Sequence, residues 1–311
     1  MTHRERLRLT VITGFLGSGK TTLLRRALGD GRPDVAVVVN EFADAGVDQE
    51  LIGGACVWVV TVSRGCACCE RREEVLIALR QILDAHERGR LGALRHVVIE
   101  TSGLADPLPI VTAITLDPVL RHHFKLGAVV TVVDALDGEE QLALHPEARR
   151  QALSADRIVV SKTDLAEPAQ VKALEAKLAG LGVSVVTPAP EPWADLLSAS
   201  GRHERVALPE AGAHTGNVTS ASIKFDQPLD WVAFGVWLSL LVHAHGLGLL
   251  RIKGVVPAAG LGSIAINAVQ HALYPPEHID SPAVPARLVV IAQDLSADSI
   301  TRSLLAFQRA A

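Results

Sequence analysis

The chain has 311 residues, which is enough for two domains. Hydrophobic residues make up 49% of it and charged residues 21%, so it can build a large core, as ordinary globular proteins do. The formal net charge of −4 at pH 7 argues against a protein that binds nucleic acid by neutralising phosphates, and we expect no nucleic-acid partner.

Apolar runs rich in β-branched residues alternate with helical patterns from the start of the chain. Seven runs predict strands, at residues 7–13, 35–40, 57–62, 96–100, 128–133, 158–161 and 183–187. Four segments between them predict helices, at residues 20–28, 70–86, 147–155 and 169–181. Apolar strands that alternate with helices are typical of a mostly parallel sheet covered on both faces. We therefore predict an α/β domain over residues 1–187.

The composition changes at residues 188–217, where four prolines and three glycines interrupt the pattern, and we interpret this stretch as a linker. Beyond it, strands are predicted at residues 220–225, 249–256, 263–269 and 287–292, with helices at 229–244 and 296–309. This pattern predicts a smaller C-terminal α+β domain over residues 218–311.

Residues 231–250 contain no Asp, Glu, Lys or Arg, but two His, one Ser and three Gly interrupt them. We therefore expect a buried helix there rather than a membrane span, and no membrane partner. The charged residues among the first seven do not resemble a secretory signal. Three of the four cysteines lie within four positions, which suits disulfides poorly, so we expect a cytoplasmic protein.

Residues 14–21 have the pattern Gly-x-x-x-x-Gly-Lys-Thr between a predicted strand and a predicted helix. In that context the pattern is typical of a loop that binds the phosphates of a nucleoside triphosphate. Glycines let backbone N–H groups turn toward one anion, and the helix start adds its positive dipole end. We expect Lys20 to reach the β- and γ-phosphates and the Thr21 hydroxyl to bind Mg²⁺. The predicted nucleotide-binding residues of this loop are Gly14, Gly17, Ser18, Gly19, Lys20, Thr21 and Thr22.

A carboxylate ends the strand predicted at residues 96–100, and a glycine follows it. Glu100 ends an apolar run, and Gly103 lies in the short turn after it. In phosphate-loop proteins an acid at this place contacts the water around the metal, and a glycine N–H can detect the γ-phosphate. We therefore predict Lys20, Glu100 and Gly103 as catalytic residues. We also predict that Asp48, together with Thr21 and Glu100, holds the Mg²⁺ ion or its water.

Ser161 ends the strand predicted at residues 158–161, and Lys162 and Asp164 follow it. An Asp carboxylate can accept two hydrogen bonds from guanine, which adenine does not offer, so we predict that Lys162 and Asp164 bind the base of GTP. GTPases usually have Asn where this chain has Ser161. Serine has fewer hydrogen-bonding groups than an amide, so the strength of the preference for guanine stays open.

Cys66, Cys68 and Cys69 form a Cys-x-Cys-Cys motif before a predicted helix. A helix N-terminus favours the thiolate form, and three thiolates can bind one ion such as Zn²⁺. Glu41, which follows the second predicted strand, could add an oxygen ligand. Two alternatives to a transferable metal stay open here: a redox-sensing thiol pair, and a purely structural zinc site.

Five motifs in this order resemble those of CobW-type GTPases, within the wider CobW/HypB/UreG group. They are residues 14–22, 39–42, 65–69, 100–107 and 162–165, and residues 250–254 and 266–271 are similar to the small C-terminal domain of that family. The resemblance implies a GTP-hydrolysing metallochaperone that uses Mg²⁺. It also implies that Cys66, Cys68 and Cys69, with Glu41 nearby, carry Zn²⁺ or Co²⁺ to an unknown client apo-metalloprotein.

We therefore expect that nucleotide binding and metal binding affect each other in this chain. Two rival functions predict different results. An ATP-dependent small-molecule kinase would bind adenine and stay active after Cys66→Ala, whereas a nucleotide-binding thiol redox sensor would respond to oxidation of Cys68 or Cys69 without metal.

The chain departs from the family pattern at Ala43 and Asp44, where Gly-Glu is common, and at Ser161. The sequence leaves a homodimer open.

Overall fold

The structure, a computed structural model, describes eleven segments of the chain. They are residues 6–29, 31–39, 56–61, 68–92, 94–181, 184–186, 218–246, 248–269, 272–273, 276–279 and 286–310. These residues divide into two compact units. The first holds the described residues up to Leu178 together with residues 184–186, and the second holds residues 179–181 and the described residues from 218 onward.

The described part of the first unit contains a seven-stranded parallel sheet with helices between its strands. Its strands are β1 (Leu7–Gly14), β2 (Arg32–Val39), β3 (Cys56–Thr61), β4 (His96–Glu100), β5 (Phe124–Asp134), β6 (Arg157–Ser161) and β7 (Ser184–Val186). Its helices are α1 (Lys20–Leu28), α2 (Cys68–Glu87), α3 (Leu108–Leu116), α4 (Pro118–His123), α5 (Gly138–Leu144), α6 (Pro146–Ser154) and α7 (Pro168–Ala179). This architecture confirms the predicted α/β class.

The strand order β3-β2-β4-β1-β5-β6-β7 places β1 at the centre of the sheet. Ile12 of β1 lies beside Glu100 of β4, and Gly14 lies beside Val132 of β5. Ligands of parallel sheets bind at the carboxyl ends of strands, where the order reverses about the central strand. The ends of β4, β1, β5 and β6 are therefore neighbours, although they are far apart in sequence.

A continuous apolar core fixes this sheet. Leu24 and Leu28 of α1 pack with Ile12 and Val130 on one face, and all four side chains are buried. The β-branched residues of β1, β2 and β4 are buried along almost their whole length, which explains why the sequence shows unbroken apolar runs there. The central strand is therefore a rigid base for the loop that follows Gly14.

A buried histidine joins β1 to β4. His96 is 4% exposed, and its Nε2 shares a hydrogen bond of 2.8 Å with the Thr10 hydroxyl. Burial, followed by the positive charges of Arg8 and Arg32, lowers the pKa of His96 from 6.5 to about 4, although Asp34 opposes the shift. The ring is therefore neutral in the folded protein at physiological pH.

This histidine predicts a loss of stability at mildly acid pH. Because the unfolded chain takes up a proton near pH 6.5 and the folded chain only near pH 4, the stabilisation is complete above pH 6.5 and is lost as the pH falls. Between pH 7.5 and pH 5 we expect this group to cost about 2 kcal/mol of unfolding free energy. Urea titrations should show that His96→Gln removes this part of the pH dependence, whereas His122→Gln, at an exposed position, retains it.

The described part of the second unit is an antiparallel sheet with two helices. Its strands are β8 (Val218–Lys224), β9 (Leu249–Ala258), β10 (Gly262–Val269), β11 (Ala272–Leu273), β12 (Glu277–Ile279) and β13 (Arg287–Gln293), and its helices are α8 (Trp231–His245) and α9 (Ala297–Ala310). The strand order is β11-β10-β9-β13-β8, with β12 also paired to β10. This confirms the predicted α+β class, but β11 and β12 were not predicted from the sequence.

Helix α8 accounts for most of the long uncharged segment. Its Phe234 and Trp237 are buried, and the Trp237 indole donates a hydrogen bond of 2.9 Å to Ser303 of α9. The side chain of Asp230 caps the helix by accepting from the Ala233 N–H. None of the described helices is long and apolar enough to cross a lipid bilayer.

Candidate functional site

The loop between β1 and α1 turns through three glycines that have positive φ. These are Gly14 at +144°, Gly17 at +71° and Gly19 at +90°. At Gly14 the backbone also approaches β5 closely, since a Cβ atom there would lie 2.3 Å from the Val132 carbonyl oxygen. Glycine is therefore required at this position both for conformation and for space.

The Lys20 ammonium is held inside this loop. Lys20 is the first residue of α1 and is 7% exposed. Its Nζ donates to the carbonyl oxygens of Gly14 at 3.1 Å and Phe15 at 3.2 Å. The cation thus lies over the glycine loop at the N-terminus of a helix, where both the charge and the dipole attract phosphate.

Thr21 and Glu100 bring oxygen ligands together next to the loop. The Thr21 hydroxyl donates to Glu100 Oε1 at 2.6 Å, and Glu100 is fully buried at the end of β4. A hydroxyl and a carboxylate in contact are the kind of hard oxygen donors that Mg²⁺ prefers, so these two residues fit that ion. Asp48, the third predicted magnesium residue, lies outside the described residues.

The segment after β4 lies directly against the phosphate loop. The Thr101 N–H donates to the Ile12 carbonyl at 2.9 Å, and its hydroxyl donates to the Thr13 hydroxyl at 2.8 Å. Two residues further on, a Cβ atom at Gly103 would lie 2.9 Å from both Cα and N of Leu16. Only glycine lets the two backbones approach this closely, so Gly103 is placed where the loop could report on a bound phosphate.

An ion pair supports the loop after β6. Lys162 has a φ of +55°, which is unusual for a residue with a side chain, and its Nζ donates to Asp134 Oδ2 at 2.7 Å. Asp134 ends β5, is 1% exposed, and its Oδ1 accepts the N–H groups of Leu136 and Asp137. Burial alone would raise the pKa of Asp134, but the Lys162 ammonium and the two backbone N–H groups lower it overall.

Ser161 connects the same loop to the phosphate loop. Its hydroxyl donates to the Ser18 carbonyl oxygen at 2.6 Å. A single hydroxyl thus makes a direct contact between the two loops from the place where GTPases usually have Asn. Asp164, the predicted reader of guanine, is exposed in the turn that the Leu165 N–H closes on the Lys162 carbonyl.

The side chains predicted to bind the transition metal lie outside the part of the chain that the structure describes. Cys66 and Glu41 lie outside the described residues, and for Cys68 and Cys69 only the backbone at the start of α2 is described. Among the described side chains, no group of three or more His, Cys, Asp or Glu could hold a metal ion. The cysteine site therefore stays a prediction from sequence.

Residues 8–183 match the family model described as "CobW/HypB/UreG, nucleotide-binding domain". The chain belongs to the CobW/HypB/UreG family. Residues 218–308 match a second model, described as "Cobalamin synthesis protein cobW C-terminal domain". The resemblance inferred from the sequence motifs is thereby confirmed.

Comparison with individual relatives shows the same similarity. The zinc chaperone YjiA of Escherichia coli is 34% identical over 260 residues, which cover 80% of this chain and 81% of that protein. The zinc chaperone CobW of Pseudomonas aeruginosa is 34% identical over 208 residues, which cover 56% of this chain and 54% of that relative. A crystal structure of Zn(II)-bound YjiA GTPase has a TM-score of 0.75 at 24% identity, covering 98% of this chain and 99% of that one, which shows a common fold.

Two residues of this site, Asp134 and Gln151, were not predicted from the sequence. Asp134 follows an apolar run directly, so the rule that singled out Glu100 and Lys162 would also have found it. Gln151 lies within α6, is fully buried and contacts the segment that carries Gly103. No local pattern in a single sequence distinguishes it from a surface glutamine of a helix.

Proposed function

We propose that this chain, a phosphate-loop GTPase of the CobW/HypB/UreG family, binds zinc at Cys66, Cys68 and Cys69 and passes it to a client apo-metalloprotein. The observation that carries the proposal is the strand order. The cysteine segment joins the end of β3 to the start of α2, and β3 is separated from β1 by β2 and β4 only. At about 4.8 Å per strand, the ends of β3 and β1 are roughly 14 Å apart along the same edge of the sheet.

The nucleotide part of the proposal follows from the contacts around the phosphate loop. Lys20 and the N–H groups of the loop bind the phosphates of GTP, while Lys162 and Asp164 bind the guanine base. Mg²⁺, when held by Thr21 and Glu100 with Asp48, would neutralise part of the triphosphate charge. Gly103 offers its N–H to the γ-phosphate, a role supported by its contact with Leu16.

Zinc rather than cobalt is the proposed cargo. Two relatives bear the name zinc chaperone, and three thiolates suit zinc well. Thiolates alone do not select one divalent ion, so Co²⁺ stays a competing cargo for experiment to decide. Glu41 is proposed as an oxygen ligand, because it follows β2, which lies between β3 and β4.

The coupling between the two sites runs through the strand ends. Val39, at the end of β2, pairs with Thr61 of β3 on one side and with Glu100 of β4 on the other. The segments that follow these strands therefore begin side by side at one edge of the sheet, which supports coupling between the nucleotide and the metal. We expect the zinc affinities of the GTP and GDP states to differ by about 5- to 150-fold, and zinc to change the ratio of the GTP and GDP affinities by the same factor.

Zinc titrations of the protein with a GTP analogue, with GDP and without nucleotide test this coupling. Equal zinc affinities in the three states would contradict it. In the same assay, Cys66→Ser, Cys68→Ser and Cys69→Ser should each weaken zinc binding by at least about tenfold, since each removes a thiolate ligand. Cys56→Ser, at the start of β3, is the matched control and should bind zinc normally. If all three variants also bind zinc normally, the proposed site is wrong.

A further inference from the structure

Gln151 makes two hydrogen bonds to the segment that follows β4. It lies on α6 and is 0% exposed. Its Nε2 donates to the carbonyl oxygens of Gly103 at 3.1 Å and Ala105 at 2.9 Å. One side-chain amide thus holds two backbone carbonyls of a segment 46 to 48 residues away in sequence.

The orientation of this amide is set by its partners. Both partners are acceptors, so the NH₂ group must face them and Oε1 must face away. Oε1 is buried and has no hydrogen-bond partner within the described part of the chain. An unpaired buried acceptor costs free energy, so packing alone would favour an apolar side chain of the same size. The two donated bonds are what the glutamine provides and an apolar residue does not.

Gln151 is itself fixed to the sheet. Its carbonyl oxygen accepts the hydroxyl of Thr131, on β5, at 2.8 Å and the hydroxyl of Ser154 at 3.0 Å. Gly103 is also in close contact with the backbone of Leu16. The Gly103 segment is therefore contacted by both the phosphate loop and the Gln151 amide.

We propose that Gln151 is a positioning residue for GTP hydrolysis: its amide fixes the backbone from Gly103 to Ala105 so that the Gly103 N–H meets the γ-phosphate. This inference rests on the proposed role of Gly103. Gln151 acts on the phosphate only through that backbone. Because GDP has no γ-phosphate, the amide contributes to hydrolysis and to GTP binding but not to GDP binding.

The test separates hydrolysis from GDP binding in the whole 311-residue chain. Gln151→Met keeps the volume but removes both donors, and we expect kcat for GTP to fall by about 10- to 100-fold. The Kd for GDP should stay within about twofold. Gln308→Met in α9 is the matched control, because its Nε2 also donates to a backbone carbonyl, that of Asp230, and it should leave both quantities unchanged. Gln151→Asn, which is too short to reach both carbonyls, is the second variant in case the first does not fold.

An unchanged kcat in the Gln151 variants would overturn the inference, and so would a parallel loss of kcat and GDP affinity, which would indicate a structural role only. Gly103→Ala distinguishes this failure from failure of the proposed function, because its Cβ would meet Leu16 and displace the same segment. If Gly103→Ala lowers kcat while the Gln151 variants do not, the positioning role alone is wrong. If Gly103→Ala also leaves kcat unchanged, the proposed phosphate contact of Gly103 is wrong as well.

Discussion

We expect Gly14→Ala to weaken nucleotide binding by about 100-fold or more. The added Cβ would lie 2.3 Å from the Val132 carbonyl oxygen and 2.7 Å from Ser18 Oγ. The serine hydroxyl can rotate away, but Val132 belongs to β5, which pairs with β1 at this position. The loop must therefore move away from the sheet. Together with the strain of a φ of +144° in alanine, this costs about 3 kcal/mol, which corresponds to about 100-fold in affinity.

Gly31→Ala is a close control for this variant. Gly31 has a φ of +143°, so alanine meets the same backbone strain there, but no atom lies within 4 Å of its Cβ position. Titration of both variants with a fluorescent GDP analogue isolates the effect of the collision from the effect of φ. We expect Gly31→Ala to bind GDP nearly as the parent protein does. Equal affinities for the two variants would contradict the steric argument.

The sequence predicted the strands around the phosphate loop well because those strands are buried on both faces. Unbroken β-branched runs such as those of β2 and β4 leave little choice of structure. The rule that ligand-binding residues follow strand ends is consistent with the contacts of Gly14, Thr101 and Lys162, which the structure brings to one edge of the sheet. The rule depends only on topology, so a single sequence is sufficient to apply it.

Other parts of the fold had weaker signals. Helix α3 is apolar at most positions and shows no amphipathic period, so it was not predicted. Helix α4 has only six residues, but the sequence Asp117-Pro118 is a typical helix start. In the structure the Asp117 side chain accepts hydrogen bonds from the N–H groups of Val119 and Leu120. Start signals of this kind reveal short helices that a search for periodicity does not detect.

Gln151 shows what a single sequence cannot provide. Its helix carries polar side chains on several sides, and the burial of this one depends on a segment nearly 50 residues earlier. Its two hydrogen bonds become visible only in the structure, which brings the carbonyl oxygens of Gly103 and Ala105 next to its amide. Residues that hold a functional loop from behind have no spacing rule of their own, whereas residues that contact phosphate do.

Asp134→Ala is expected to destabilise the protein by about 3 kcal/mol. The substitution leaves the Lys162 ammonium without its carboxylate and removes the acceptor of two backbone N–H groups. Removing one partner of a buried ion pair costs about 3 to 5 kcal/mol, and we take the lower end because the Lys162 side chain is 32% exposed. Because the pKa of Asp134 lies below its usual 3.8, the contribution is complete above that pH and is lost as the pH falls further. Urea unfolding at pH 7 and below pH 3.8 should therefore show a smaller difference between variant and parent at the lower pH.

A surface ion pair provides the control for this prediction. Lys177 and Glu139 are 3.0 Å apart, and the Glu139 side chain is 61% exposed, so Glu139→Ala should cost less than about 1 kcal/mol.

The same two variants also test whether the Asp134–Lys162 ion pair affects recognition of the nucleotide base. Asp134 holds Lys162 in a strained backbone conformation, so Asp134→Ala should reduce the preference for GDP over ADP by about tenfold, while Glu139→Ala keeps it. If Asp134→Ala left the preference for GDP over ADP unchanged, the loop after β6 would bind the base independently of the ion pair between Asp134 and Lys162.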